Sequence, residues 1–122
     1  EDFGGGTASG RAIKAVQVGG PLGAYMPVSK FDTPMGYEEF DQQGGLIGHA
    51  GLVVFDDTAD MLRMARFAME FCAVESCGKC TPCREGTFWL KQIMTRLEHG
   101  QGTQDDIDKL VDICDNILGR SF

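Results

Sequence analysis

Glu75-Ser-Cys-Gly-Lys-Cys-Thr-Pro-Cys-Arg84 is the stretch on which the reading of this chain turns. Cys77, Cys80 and Cys83 follow one another as C-x2-C-x2-C, too crowded to pair into ordinary disulfides. Nothing nearby suggests an oxidising compartment. Soft thiolates set this close suit zinc or an iron–sulfur cluster. Structural zinc usually takes two separated Cys pairs, and no separate second pair exists among the five Cys. Three Cys at this spacing let one loop wrap three corners of a cubane, with a distant residue as fourth ligand. A bacterial ferredoxin would place Cys where this chain has Thr87, and the x3-then-x2 spacing of a radical-SAM motif is absent. Gly78 permits the tight wrap, while Lys79 and Arg84 offset the negative charge of a thiolate-ligated cluster. The spacing therefore predicts a [4Fe–4S] cluster on Cys77, Cys80 and Cys83, with a thiol-disulfide site or zinc as the alternative. The fourth ligand is open. Cys72 and Cys114 both fall on apolar helical stripes, where a packing Cys is the usual role, and a Cys beyond Phe122 is the other choice.

Helices are predicted on both sides of this loop. Asp57-Thr58 supplies an N-cap with Asp60 in the first turn, followed by Met61, Met64 or Ala65, Ala68, and Phe71 or Cys72 at helical spacing. Thr81-Pro82 starts a second helix, with Trp89-Leu90, Ile93-Met94 and Leu97 apolar and a stop at His99-Gly100. Thr103 caps a third, in which Ile107, Leu110-Val111, Cys114 and Ile117-Leu118 are expected to face inward. Three amphipathic helices with short connections make a small bundle.

Upstream the chemistry changes. Twelve of the 17 Gly lie in residues 1–51, whereas four of the five Cys lie between Cys72 and Cys83. Residues 1–10, with Gly4-Gly5-Gly6, are expected to form a flexible entry segment. Arg11 to Val18 reads as a strand stopped by Gly19-Gly20-Pro21, and Ala24 to Val28 as a second short one. Phe31 to Phe40 reads as irregular. Leu52 to Phe55, bounded by Gly51 and Asp56-Asp57, reads as a buried strand. GGPLG (Gly19 to Gly23) lacks the Lys-Ser/Thr of a P-loop and does not open a helix, so turns outweigh a nucleotide site. His49 has no companion ligand at metal spacing and is expected to be structural. The expected class is α+β, with residues 11–56 as the β domain and 57–122 as the helical domain.

Composition sets the outer bounds. The 122 residues are 43% hydrophobic and 24% charged, ordinary for a folded domain. A net charge of −7 argues against a nucleic-acid surface. The longest uncharged apolar run, Leu46 to Phe55, is too short and Gly-interrupted to span a membrane. No signal peptide is visible.

ESCGKCTPCREGT (Glu75 to Thr87) closely resembles the iron–sulfur motif of the NADH-accepting flavoprotein subunit of respiratory complex I. It is similar too to the diaphorase subunits of NAD-reducing hydrogenases and NAD-dependent formate dehydrogenases. GHAGLVVFDDTADM and AMEFCAVESCGKC look most like the formate dehydrogenase beta-subunit branch. GGPLGAYMP followed by GGLIGHAGLVVF resembles the family's soluble-ligand-binding β-grasp (ubiquitin-like) domain, and residues 57–122 its helical cluster domain. The resemblance implies that Cys77, Cys80 and Cys83 are cluster ligands and that the fourth Cys follows a Phe just after the third helix. That reading makes the chain a C-terminal fragment cut at Phe122, and it demotes Cys114 to packing. FMN and NAD would bind a preceding domain, so this fragment alone is expected to lack diaphorase activity. Electron relay between FMN and further iron–sulfur centres is the implied function; a non-catalytic assembly module with zinc or a metal-free Cys cluster is the alternative. The implied partners are a thioredoxin-like [2Fe–2S] subunit and an iron–sulfur-rich large subunit, in the cytoplasm, with no nucleic acid and no membrane insertion.

Overall fold

A computed structural model describes residues 3–121. It is α+β and divides into two compact units, with the boundary between Ala59 and Asp60. Glu1, Asp2 and Phe122 lie outside the described residues, so the expectations that rest on them are not addressed by the fold.

In the first unit β1 (Ile13–Val18) is the middle strand of a three-stranded sheet, between β2 (Ala24–Pro27) and β3 (Leu52–Asp56). Both pairings are antiparallel, Val16 standing opposite Met26 on one side and Val54 on the other. The register shifts between Ile13 and Ala15, where β1 is irregular against β3. A short helix, α1 (Tyr37–Gln42), contributes Phe40 to a buried cluster with Val18, Met26 and Ile47. This helix takes over the end of the stretch expected to be irregular, residues 31–36 remaining so; Gly36 in extended conformation and Glu38 and Glu39 in the first turn are the signals that start it. Elsewhere in the sheet Tyr25 packs near Phe55, ring centroids 5.9 Å apart.

The expectation of a buried Leu52–Phe55 strand is corrected. Leu52, Val53 and Val54 are all exposed, the two valines at 47%, so the side chains on both faces of β3 are open there, and β3, with only β1 as a neighbour, forms a sheet edge. A continuous apolar run signals a strand but not how many neighbours it has. GGPLG is a turn, as expected: Gly23 N–H donates to the Gly20 carbonyl at 2.9 Å, and Gly19 N–H to the Gly51 carbonyl at 3.0 Å. A Cβ on Gly23 would lie on the Val18 carbonyl oxygen, so the hairpin needs the hydrogen atom there. His49 has a structural role, its Nδ1 accepting from Gly51 N–H at 3.0 Å. Among the described residues the N-terminal Gly-rich segment has neither helix nor strand. It closes a turn from Gly10 N–H to the Thr7 carbonyl, and Ser9 Oγ donates to Asp56 at 2.7 Å.

The second unit comprises α2 (Met61–Glu75), α3 (Thr81–Glu98) and α4 (Gln104–Ile117), with α3 packed against both others. Its buried apolar centre is Ala68, Leu90 and Ile93, and Leu90 is only 2% exposed. Asp60, not Asp57-Thr58, caps α2, its carboxylate accepting from Leu62 and Arg63 N–H at 3.0 and 3.2 Å. Asp56 instead holds Thr58 in a turn ahead of the helix. Pro82 in the first turn of α3 and the stop at His99 agree with the sequence. Thr103 and Asp106 form a reciprocal capping box at the start of α4.

Which face of α4 is inside is a second correction. Of the residues expected inside, Leu110 and Ile117 do turn inward, joined by Asp106 and Ile113, whereas Ile107, Val111, Cys114 and Leu118 are exposed. Both sets have the same helical spacing, so periodicity alone does not choose between them. The choice is made by Arg96 pairing with Asp106 and by Ile113 and Ile117 seating over Gly86. Between α2 and α3, Arg66 pairs with Glu98 at 2.5 Å and Lys91 reaches Glu70 at 3.3 Å, while within α2 Arg66 also pairs with Glu70 at 2.9 Å. Among the described residues no helix is long and apolar enough to cross a membrane.

Candidate metal centre

The C-x2-C-x2-C segment forms the connection from α2 to α3. Ser76 ends α2 in a non-helical conformation, and Gly78 turns the chain at φ +75°, a left-handed backbone that glycine adopts without strain. Cys80 is the N-cap of α3, its carbonyl accepting from Arg84 N–H at 2.9 Å, and Cys83 sits in the first helical turn. The positive end of the helix dipole therefore lies where a thiolate-ligated centre would carry its negative charge. Cys77 is exposed, while Cys80 and Cys83 are half-buried.

Three side chains brace the loop. Ser76 Oγ accepts from Gly78 N–H at 3.4 Å and lies 3.4 Å from Cys83 Sγ. Arg84 straps the turn from outside, its guanidinium donating to the Gly78 carbonyl at 2.7 Å, to Thr81 Oγ1 at 3.4 Å and to Glu85 at 3.0 Å. Buried Thr87 donates to the Cys83 carbonyl at 2.7 Å, one turn further along. From sequence, Arg84 is legible as a charge, whereas Ser76 and Thr87 have no visible role. An alcohol flanking a Cys motif carries no spacing signature, and only the fold shows where its oxygen goes.

The three sulfurs are gathered on one loop but do not close on a point. Among the described residues no three His, Cys, Asp or Glu side chains form a ready group for a single ion. The donor set itself fits an iron–sulfur cluster: three soft ligands on a short loop around a left-handed glycine, at a helix N-terminus. Of the remaining cysteines, Cys72 is half-buried on α2, and burial followed by the nearby Cys83 pushes its thiol up from the ordinary range. Cys114 lies on the exposed stripe of α4, so its expected packing role within the bundle is not seen.

The loop is thus a candidate thiolate metal centre at a helix start, and comparison with known proteins says what it is similar to. Residues 63–122 match the family described as the NADH-ubiquinone oxidoreductase-F iron-sulfur binding region. The chain is 46% identical over 121 residues to the F subunit of the NADH-quinone oxidoreductase of Mycobacterium tuberculosis (strain ATCC 25618 / H37Rv), covering 99% of this chain and 27% of that protein. It is 40% identical over 116 residues to HndC, a subunit of the NADP-reducing hydrogenase of Solidesulfovibrio fructosivorans, covering 95% of this chain and 24% of that protein. The crystal structure of an NAD+-reducing [NiFe]-hydrogenase in the H2-reduced state superposes with a TM-score of 0.75 at 30% identity, over 86% of this chain and 18% of that one. The chain spans about a quarter of the length of the curated relatives it matches. Together the matches support the NADH-binding flavoprotein family and an iron–sulfur-binding region within it.

Proposed function

We propose that this chain carries the [4Fe–4S]-binding part of an NADH-linked flavoprotein subunit, with Cys77, Cys80 and Cys83 as three of the cluster ligands. The observation that carries the reading is the placement of those thiols on one glycine-turned loop at the start of α3, inside the segment that matches the iron–sulfur binding region. A cluster bound there supplies a one-electron carrier, accepting and passing on single electrons. The protein's share is to hold it: Cys80 and Cys83 from the helix start, Cys77 from the exposed arm of the loop, with Arg84 fixing the turn between them. In an intact subunit of this kind, electrons would move between FMN, reduced by NADH, and further iron–sulfur centres.

Finer assignments belong to the same proposal. GHAGLVVFDDTADM favours the formate dehydrogenase branch. The small sheet with α1 is read as the soluble-ligand-binding β-grasp domain, spanning residues 11–56, with 57–122 as the cluster domain. Other subunits of a multi-subunit oxidoreductase, a thioredoxin-like [2Fe–2S] protein among them, would be the partners, in the cytoplasm.

Metal analysis tests the proposal. Anaerobically prepared protein is expected to hold iron and acid-labile sulfide, up to about four of each per chain and fewer where the fourth ligand is lacking, and Cys77→Ser, Cys80→Ser or Cys83→Ser each to lower both. Cys114→Ser is expected to leave them unchanged. About one zinc and no iron would instead establish the assembly-module alternative.

A further inference from the structure

From the contact between Ser76 Oγ and Cys83 Sγ, 3.4 Å apart, we infer that Ser76 is a positioning residue that donates a hydrogen bond to a ligand sulfur and raises the cluster's reduction potential. The inference rests on the cluster assignment above and says how this chain tunes that site.

The direction of the hydrogen bond follows from the other contacts. Ser76 Oγ already accepts from Gly78 N–H, at 3.4 Å, which leaves its own hydrogen free to point elsewhere. A Cys83 thiolate bound to iron has no proton to give and is an acceptor only. The hydroxyl therefore donates and the sulfur accepts. Ser76 is half-buried at the end of α2, and Cys83 is fixed in the first turn of α3, its carbonyl held by Thr87. The pair thus spans the base of the loop, and helix packing on both sides keeps the two atoms in register.

The effect on potential has a definite sign. A donor at a ligand sulfur draws electron density away from the iron and stabilises the more negative, reduced form more than the oxidised one. Reduction adds one electron, breaks no bond and leaves the proton on Ser76 Oγ. Removing the hydroxyl should lower the potential. Arg84 brings positive charge to the same loop, but it is bound to the Gly78 carbonyl and Glu85 rather than to a sulfur, so its influence is long-range and screened by solvent.

The test is a mediated redox titration with dithionite, followed by electron paramagnetic resonance, on wild type, Ser76→Ala and Ser76→Thr, with iron and sulfide measured in each. A lower potential in S76A at unchanged iron content, restored in S76T, is the expected result. An unchanged potential in S76A overturns the inference. If S76A loses the cluster, Ser76→Gly, which also removes the hydroxyl, is titrated in its place, and the same lower potential is expected. If both lose it, the inference falls. Wild type without iron would overturn the cluster assignment itself, a different failure.

Discussion

At the scale of single residues, Asp56 shows how the N-terminal segment is tied to the sheet. Hydrogen bonds from Ser9, then from the Thr58 hydroxyl and amide, lower its carboxyl from 3.8 to about 2. The folded form therefore favours ionised Asp56, and this contribution is fully present above the unfolded value. It is lost as the pH falls from 3.8 towards 2. Thermal unfolding of the first unit should weaken across that window, and Asp56→Asn should flatten this part of the profile while lowering stability at neutral pH. Asp106 behaves alike: Arg96, followed by the Thr103 amide, holds its carboxyl below the usual range. Gln17 is the odd residue. It is 8% exposed, and its Nε2 has no hydrogen-bond partner among the described residues, an arrangement that normally carries a desolvation cost.

At the scale of elements, two substitutions probe why the pieces fit. Leu90→Ala removes the most enclosed side chain of α3 and should cost about 2–5 kcal/mol in denaturant unfolding of the helical unit. Gly23→Ala forces a methyl group onto the Val18 carbonyl and should cost about 1–3 kcal/mol, read as lost amide protection in β1 and β2. Most elements are legible in the sequence because their ends are chemically marked: Gly19-Gly20 after β1, Pro82 at the start of α3, Thr103 before α4. Relative placement is not. LVVF makes a strand whether it lies at a sheet centre or an edge, and α4 carries two apolar stripes of equal spacing. Only the partners Gly86 and Arg96 choose one. The cysteine motif is legible for the same reason as the caps, since its meaning is local, whereas Ser76 depends on a fold that brings position 76 to position 83.

At the scale of the whole molecule, charge and exposed apolar surface pull in opposite directions. Phe67, Phe71 and Val74 line an exposed face of α2, and Ile107, Val111 and Leu118 one of α4 and its C-cap, while a net charge of −7 opposes the approach of copies at neutral pH. Light scattering should therefore rise as acid neutralises the carboxylates or as salt screens them, and Phe71→Glu or Val111→Glu should each reduce it. The anchoring of Cys80 and Cys83 in the first turn of α3 has a consequence of another kind. A sulfur mounted on a helix that packs against two others would have little room to shift if the proposed cluster there gained an electron. On the proposed reading, that mount would keep the protein's share of the reorganisation energy low.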